Sequence, residues 1–341
     1  MVKVLIKIDI NKIDNWDEIK KNHLKYFKEA IENELSNLII DNDKYISKRK
    51  RPNKDKYKIY YELEKSDRDE IEKVFGGKFS EKKSRSVFKI SDAEKIEEII
   101  LGDIDKVCDI FDKSNIGQDV IKQIFNYDKF RDNDGWNRHT LIYMMNISVC
   151  PYCNRQYITS YEEDSKQLKT TADLDHYYSQ DEYPFLSLSL FNFIPSCQIC
   201  NSRFKIKKNF KVNPHIYPYK EEFGENAKFI INGDAIDYLL GQSNNFNIEL
   251  KVKECKNKEK IINAINTFHL NKVYKIHKNY VLDIIKKAFI YNESQVLELY
   301  ESYPELFQNK IEIYNLLFGI DDKKILCKLT KDICDEFEIA K

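Results

Sequence analysis

Apolar residues recur at three- and four-residue steps over several stretches of the chain, and this spacing predicts amphipathic α-helices. The first stretch is 15–39, with apolar positions at Ile19, Leu24, Phe27, Ile31, Leu35 and Leu38. Helical spacing returns between about 91 and 125, and it starts at a Ser91-x-x-Glu94 sequence that is typical of a helix N-terminus. It returns again in 258–288, 293–317 and 321–338. The alternation of residues 3–10 predicts an edge strand.

These patterns predict an α+β fold class with three segments. Residues 1–140 combine the alternating stretch with helical ones, so we expect a mixed, mainly helical N-terminal α/β region. Residues 213–341 carry helical spacing, and we expect a mainly helical C-terminal domain. The central segment, 141–212, holds the chemically distinctive residues. With 9 Gly and 7 Pro and no Gly/Ser-rich run, the segments should pack together without flexible linkers.

Composition narrows the class of protein. Hydrophobic residues make up 42% of the 341 residues, which is enough for a buried core and excludes wholesale disorder. The 56 Lys and Arg balance 56 Asp and Glu, so binding to nucleic acid or membrane by bulk charge is excluded, whereas local basic patches are not. Apolar runs fall short of the ~20 residues of a membrane span. Charges interrupt the N-terminal stretch, unlike a signal peptide. We expect a cytoplasmic protein.

The cysteines point to a metal. Two C-x-x-C pairs, Cys150/Cys153 and Cys197/Cys200, are separated by 43 residues and predict one tetrahedral four-cysteine zinc site. Four thiolates leave no open coordination position, so this zinc should be structural. Unpaired buried cysteines and a redox dithiol are the alternatives. The other four are expected to be core thiols: Cys108, Cys255, Cys327 and Cys334.

The loop between the two pairs carries catalytic residue types. Asp175 and His176 are adjacent in it, and Asn201 directly follows the ligand Cys200. A carboxylate and an amide oxygen suit Mg²⁺ or Mn²⁺, while a neutral imidazole can take a proton from water. Together these groups are what hydrolysis of a phosphodiester requires.

The ordered motifs CPYC, LDH and NFIPSCQICNSRFK resemble those of HNH (ββα-metal) endonucleases whose fold is supported by a four-cysteine zinc. The resemblance covers about 60 residues and implies a central zinc-stabilised ββα-metal core. It implies that Asp175 and Asn201 bind the catalytic cation and that His176 is the general base. It also implies that the amide of Asn192 braces the loop and orients His176. A looser resemblance, through NPHIYPY and KLTKDI, is to HNH subunits of Septu-like and retron-associated antiphage systems that act with AAA- or ABC-type ATPases.

Basic residues near these motifs are candidate phosphate contacts. They are Arg155, Arg203, Lys205, Lys207 and Lys208, with Lys211 ending the run. A solvated helix face is the alternative for this run. The basic stretch 44–58 is likewise either a solvated loop or a phosphate-contacting arm. His269 and His277, eight apart in a helical pattern, are expected to be structural histidines.

The leading hypothesis is therefore a metal-dependent DNA endonuclease that uses structural Zn²⁺ and catalytic Mg²⁺ or Mn²⁺ and acts in antiphage defence with an ATPase partner. An RNA endonuclease, with tRNA as one substrate, is an alternative from the same core. A non-catalytic zinc-stabilised nucleic-acid-binding or scaffold module is the competing class.

Overall fold

The computed structural model describes residues 7–339 except 37, 42–43, 50–58, 64, 83–84, 132 and 234–235. Within these residues the protein is a mixed α+β chain, which confirms the predicted class. The helices are α1 (Trp16–Ser36), α2 (Lys65–Phe75), α3 (Ala93–Leu101), α4 (Ile104–Asp112), α5 (Gln118–Ile124), α6 (Tyr127–Arg131), α7 (Arg138–Met145), α8 (Lys258–Thr267), α9 (Leu270–Val273), α10 (Lys278–Ile290), α11 (Glu293–Ser302), α12 (Lys310–Phe318) and α13 (Cys327–Glu336). The strands are β1 (Leu38–Asp41), β2 (Lys44–Arg49), β3 (Ile59–Leu63), β4 (Gly77–Lys82), β5 (Arg85–Ile90), β6 (Ser160–Glu162), β7 (Leu168–Thr170), β8 (Ala172–His176), β9 (Phe193–Cys197), β10 (Ala227–Asn232) and β11 (Asn247–Val252).

The described strands form small sheets. β1, β2 and β3 make an antiparallel three-stranded sheet, and the other strands pair as β4–β5, β6–β7, β8–β9 and β10–β11. None of the described helices is long and apolar enough to cross a membrane.

The chain folds into two compact units. We call residues 11–145 and 174–194 the N-terminal unit, and residues 7–10, 146–173 and 195–339 the C-terminal unit. The chain passes from one unit to the other within β8 and again within β9. The three sequential segments expected from the sequence stay a prediction.

The N-terminal unit is organised around α1. Four of the six predicted apolar positions, Ile19, Phe27, Ile31 and Leu35, are at most 1% exposed, whereas Leu24 is half-buried and Leu38 lies in β1. Burial of these side chains, each worth roughly 1.5–3 kcal/mol, explains why this long helix is stable against β5 and α3. The helix predicted over 15–39 is therefore confirmed, with an earlier end at Ser36.

Three predictions near the N-terminal unit need correction. Residues 7–9 are irregular and Ile10–Lys12 form a 3₁₀ turn, so the strand expected over 3–10 is not formed in its described part; residues 3–6 lie outside the description. Helix α3 is capped by Asp92 and not by Ser91, because the Asp92 carboxylate accepts from the Glu94 and Lys95 amides. The stretch 44–58 is a strand over 44–49, and 50–58 is outside the described residues.

The C-terminal unit departs from a purely helical reading. A mainly helical domain was expected over 213–341, and no strand was named there; β10 and β11 pair over six residues and β10 packs on α13. The stretch 258–288 is also interrupted, since His269 has a left-handed backbone with φ of 51° and separates α8 from α9. His269 and His277 consequently do not share one helix. The helices expected in 293–317 and 321–338 are confirmed as α11, α12 and α13.

Candidate metal centre and active-site residues

The four cysteines of the C-x-x-C pairs converge in the C-terminal unit. Cys150 and Cys153 lie on one turn, and Cys197 and Cys200 lie where β9 passes into the π-helical turn Ile199–Lys205. Their sulfur atoms all lie within 4.8 Å of one another, and all four side chains are buried. In the described part of the chain this is the single such group of three or more metal-ligating residues.

The geometry of this cluster fits one tetrahedral ion. A Zn–S bond of about 2.3 Å requires sulfur atoms about 3.8 Å apart. The Cys153 and Cys197 Sγ atoms are 4.0 Å apart. Burial raises the pKa of the Cys150 thiol, an effect that a bound dication offsets by stabilising the thiolates. All eight cysteines are free thiols, so no disulfide competes with metal binding. The cluster can therefore bind a metal such as zinc.

The first cysteine turn is held by the C-terminal helices. Asn154 takes a left-handed backbone with φ of 51°. Its carbonyl oxygen accepts from the Leu326 amide at 2.7 Å, and its side-chain Oδ1 accepts from the Lys328 amide at 3.1 Å. The Tyr274 hydroxyl donates to the Cys153 carbonyl at 2.7 Å. These bonds make residues more than 100 positions away part of the support of the metal centre.

Arg155 is the candidate phosphate contact next to this turn. Its Nε–H donates to His277 Nε2 at 3.1 Å, and its guanidinium carbon lies 5.7 Å from the Tyr274 ring centre. Burial and the charge of Arg155 lower the pKa of His277, which keeps the imidazole neutral and able to accept this bond. His277, expected to be a structural histidine, orients the arginine.

In the N-terminal unit, the Asp-His pair ends β8. Asp175 is 5% exposed and His176 is 9% exposed. His176 Nε2 lies 3.0 Å from the Ser187 carbonyl oxygen. Since a carbonyl only accepts, Nε2 carries a proton, and the lone pair of the neutral ring lies on Nδ1. Tyr127 and Phe193 pack edge-on against the ring, with centroids at 4.7 and 5.1 Å.

Asn192 connects the two ends of the loop that follows His176. Its Oδ1 accepts from the Tyr178 amide at 2.8 Å, and its Nδ2 donates to the carbonyls of Tyr178 and Leu186, both at 3.0 Å. The Asn192 carbonyl also accepts from the Tyr177 amide at 2.8 Å. Because the Asn192 side chain is 0% exposed, it takes the place of water as the hydrogen-bond partner of these backbone groups. The loop that carries Ser187, the partner of His176, is thereby closed.

Asn201 has a partner that the sequence reasoning missed. Its Nδ2 donates to Asp173 Oδ2 at 3.0 Å, and the Ser202 hydroxyl donates to the same oxygen at 3.2 Å. Because the Asn201 Nδ2 is bonded to Asp173, the orientation of the Asn201 side-chain amide, and so the position of its Oδ1, is fixed. The D-x-D spacing of Asp173 and Asp175 could have indicated Asp173 as a site residue, because residues two apart on a strand share a face.

The basic run after Asn201 divides into exposed and buried members. Arg203, Lys207 and Lys208 are exposed. Lys205 is 3% exposed and its ammonium lies 4.8 Å from the Phe210 ring centre, which is at odds with the phosphate contact expected for it. Lys205 ends the π-helical turn Ile199–Lys205, whereas Lys207 and Lys208 lie beyond it.

The candidate residues are thus distributed over both units. Asp175, His176 and Asn192 lie in the N-terminal unit, whereas Asn201 and the four cysteines lie in the C-terminal unit. The convergence of Asp175 with Asn201 stays a prediction. Comparisons of the chain with protein-family models, with curated proteins and with solved structures found no match.

Proposed function

We propose that this protein is a metal-dependent HNH-type endonuclease that hydrolyses phosphodiester bonds in DNA. The observation that carries the proposal is the pairing of His176 with the Ser187 carbonyl inside a loop braced by Asn192. A fixed imidazole with one nitrogen tied to a carbonyl is the arrangement that a general base requires. The four-cysteine cluster next to Asn201 supports the same reading.

In this mechanism each residue has one task. His176, oriented by the Ser187 carbonyl, would in its neutral tautomer take the proton of the attacking water on Nδ1. Asp175 and Asn201 offer the carboxylate and amide oxygens that would hold Mg²⁺ or Mn²⁺, and Asp173 orients the Asn201 amide. A divalent cation, when bound, supplies neutralisation of the phosphate charge. The structural Zn²⁺ would hold the start of the turn that carries Asn201.

The test is cleavage of supercoiled plasmid by the purified protein in Mg²⁺ or Mn²⁺, with EDTA as the negative control. His176→Ala should lose about 10²- to 10⁴-fold in rate and keep its zinc content and fold. Lys323→Ala is the control, because this lysine is exposed and lies outside the proposed site. Undiminished turnover of His176→Ala would refute the role of His176. Transfer RNA in parallel reactions decides between DNA and RNA.

A second candidate function is a zinc-stabilised binding or scaffold module without catalysis. Its support is the burial of Asp175 and His176, at 5% and 9% exposure, which restricts access of water and substrate. A wild type that binds zinc and duplex DNA but cuts neither DNA nor RNA would favour it.

We further propose, from the looser motif resemblance, an antiphage role with an AAA- or ABC-type ATPase partner that licenses cutting. A chain without net charge should bind DNA weakly by itself, which supports the need for such a partner. Co-expression with the product of the neighbouring gene, followed by size-exclusion chromatography and the cleavage assay, tests this. A monomer that cuts at full rate without that product would contradict licensing and leave the nuclease proposal standing.

A further inference from the structure

Exposed apolar side chains are concentrated on three consecutive helices of the C-terminal unit and on the loop between the last two. We call residues 289–316, from the end of α10 to α12, the α10–α12 surface. Within it, Phe289, Ile290, Tyr303, Leu306 and Leu316 are between 47% and 66% exposed. The ten residues of α11 bury a single side chain, that of Val296. Apolar surface of this density marks an interaction site more often than a solvated face.

The helices that carry this surface are held by caps and by packing on one another. Asn292 caps α11 by accepting from the Gln295 amide, and Asn309 caps α12 by accepting from the Glu312 amide. α12 ends at Gly319 in a left-handed conformation, with φ of 70°. α11 and α10 both pack on α12. Phe289, Ile290 and Leu316 are therefore presented on formed helices, which lowers the ordering cost of binding a partner. Tyr303 and Leu306 lie in the loop between α11 and α12, in a turn closed by the bond from the Leu306 amide to the Tyr303 carbonyl.

The charge of the surface is strongly negative. Residues 289–316 contain five glutamates and one lysine: Glu293, Glu298, Glu301, Glu305, Glu312 and Lys310. Glu298, Glu301 and Glu305 make no ion pair with the described residues. Their charge is therefore available to a binding partner. A chain that is neutral as a whole thus carries a local net charge of −4 (one lysine against five glutamates) over residues 289–316.

We infer that the α10–α12 surface binds an amphipathic helix that carries lysine or arginine beside an apolar stripe. Nucleic acid and anionic membranes bear the same sign of charge as the surface and are repelled. A second copy would place glutamates against glutamates, which is unfavourable for the same reason. A basic amphipathic helix matches both the apolar side chains and the acidic ones. This inference uses no residue of the proposed nuclease site and stands or falls independently of it.

The experiment measures fluorescence anisotropy of a labelled amphipathic Leu/Lys peptide of about 18 residues with Leu at i, i+3, i+4 and i+7. The comparison peptide has Glu in place of every Lys. The full-length protein should bind the Leu/Lys peptide at least tenfold more tightly than the Leu/Glu peptide. Leu306→Ser combined with Leu316→Ser should weaken this binding about tenfold or more. Val212→Ser, at an equally exposed aliphatic residue outside the surface, should leave it unchanged.

A charge reversal provides the second arm, in case the apolar variants fail to fold. Glu298→Lys, Glu301→Lys and Glu305→Lys together, on exposed positions, should reverse the preference toward the Leu/Glu peptide. Equal binding of both peptides by the wild type, or a preference that survives the reversal, overturns the inference. Sedimentation that reveals a dimer abolished by Leu306→Ser would identify a second copy as the occupant and also overturn it.

Discussion

Asn192 satisfies three backbone groups in the interior of the N-terminal unit. Water cannot replace its amide there, because the side chain is fully buried. Each backbone group left without a partner in such an environment costs on the order of 1–3 kcal/mol. The stability of this unit and the position of Ser187 therefore depend on a single side chain.

We expect Asn192→Ala to lower the free energy of unfolding of the N-terminal unit by about 3 kcal/mol. The measurement is urea unfolding followed by tryptophan fluorescence. Both tryptophans of the chain, Trp16 and Trp136, belong to this unit. Asn266→Ala, at an exposed site on α8, is the control and should change nothing. A loss below 1 kcal/mol would contradict the bracing role.

His23 predicts a pH dependence of the same unit. It is fully buried, its Nδ1 accepts from the Trp136 indole and its Nε2 donates to the Leu188 carbonyl. Burial lowers its pKa from 6.5 to about 3. Between these values the unfolded state binds a proton that the folded state does not, so stability rises with pH across this window and is fully present above it.

The titration of His23 should make the free energy of unfolding rise by at most about 1.4 kcal/mol per pH unit between roughly pH 3 and 6.5. Urea unfolding at several pH values, read by tryptophan fluorescence, measures it. His23→Gln keeps an acceptor and a donor but cannot titrate, and its slope should be smaller by this amount. Identical slopes in both proteins would show that His23 is not the titrating group.

At the scale of elements, the two cysteine pairs join secondary structures that are distant in sequence. The first pair lies on a turn bonded to the start of α13, and the second ends β9. A zinc ion at this point would connect all of them. Because structural zinc contributes roughly 10 kcal/mol or more in small zinc peptides, its loss should be felt throughout this region.

We expect Cys150→Ser to lose zinc and to loosen residues 146–173 and 195–211, whereas the wild type holds about one zinc per chain. Metal analysis by mass spectrometry and amide hydrogen exchange measure the two effects. Cys255→Ser is the matched control, since this thiol lies outside the cluster. A wild type that is well folded without metal would argue against a structural role for the site.

At the scale of the whole molecule, charge balance limits how tightly the proposed nuclease would bind nucleic acid. The charges of its 56 basic and 56 acidic residues cancel. Lys205, although it belongs to the basic run after Asn201, is buried. The exposed cations next to Asn201 are Arg203, Lys207 and Lys208. If all three contacted phosphates, these contacts would be few for the proposed nuclease to hold DNA without a partner.

Duplex DNA should therefore bind weakly and with a modest salt dependence. With three phosphate contacts, the plot of log binding constant against log salt concentration should have a slope of about −2.7. The affinity should therefore fall roughly 40-fold between 50 and 200 mM salt. Arg203→Ala with Lys208→Ala should reduce the slope by about 2. Lys323→Ala, an exposed lysine elsewhere, should not change it. Anisotropy titrations in EDTA, which prevents cleavage, measure these slopes. A slope unaffected by the double substitution would place the contacts elsewhere.

Sequence alone determined the features that depend on spacing along the chain. The stripe of α1 and the helices α11 to α13 follow from apolar periodicity, and the four-cysteine cluster follows from two C-x-x-C pairs. These patterns are reliable because a helix face and a tetrahedral site each require particular residue types at particular intervals. Asp175, His176, Asn192 and Asn201 were identified from the motifs that resemble those of HNH endonucleases, and their roles remain proposals.

Tertiary structure decided the features that depend on contacts between distant segments. The bond from Asn201 to Asp173 joins residues 28 positions apart, and the bond from Tyr274 to Cys153 joins residues 121 positions apart. No pattern in the sequence indicates that these residues meet. The β10–β11 hairpin lies within 213–341, where the sequence predicted a mainly helical domain and no strand was named, and its first strand packs on α13. Local patterns specify which face of an element is apolar, but only the folded chain specifies what that face meets, because long-range contacts are set by the packing of all elements at once.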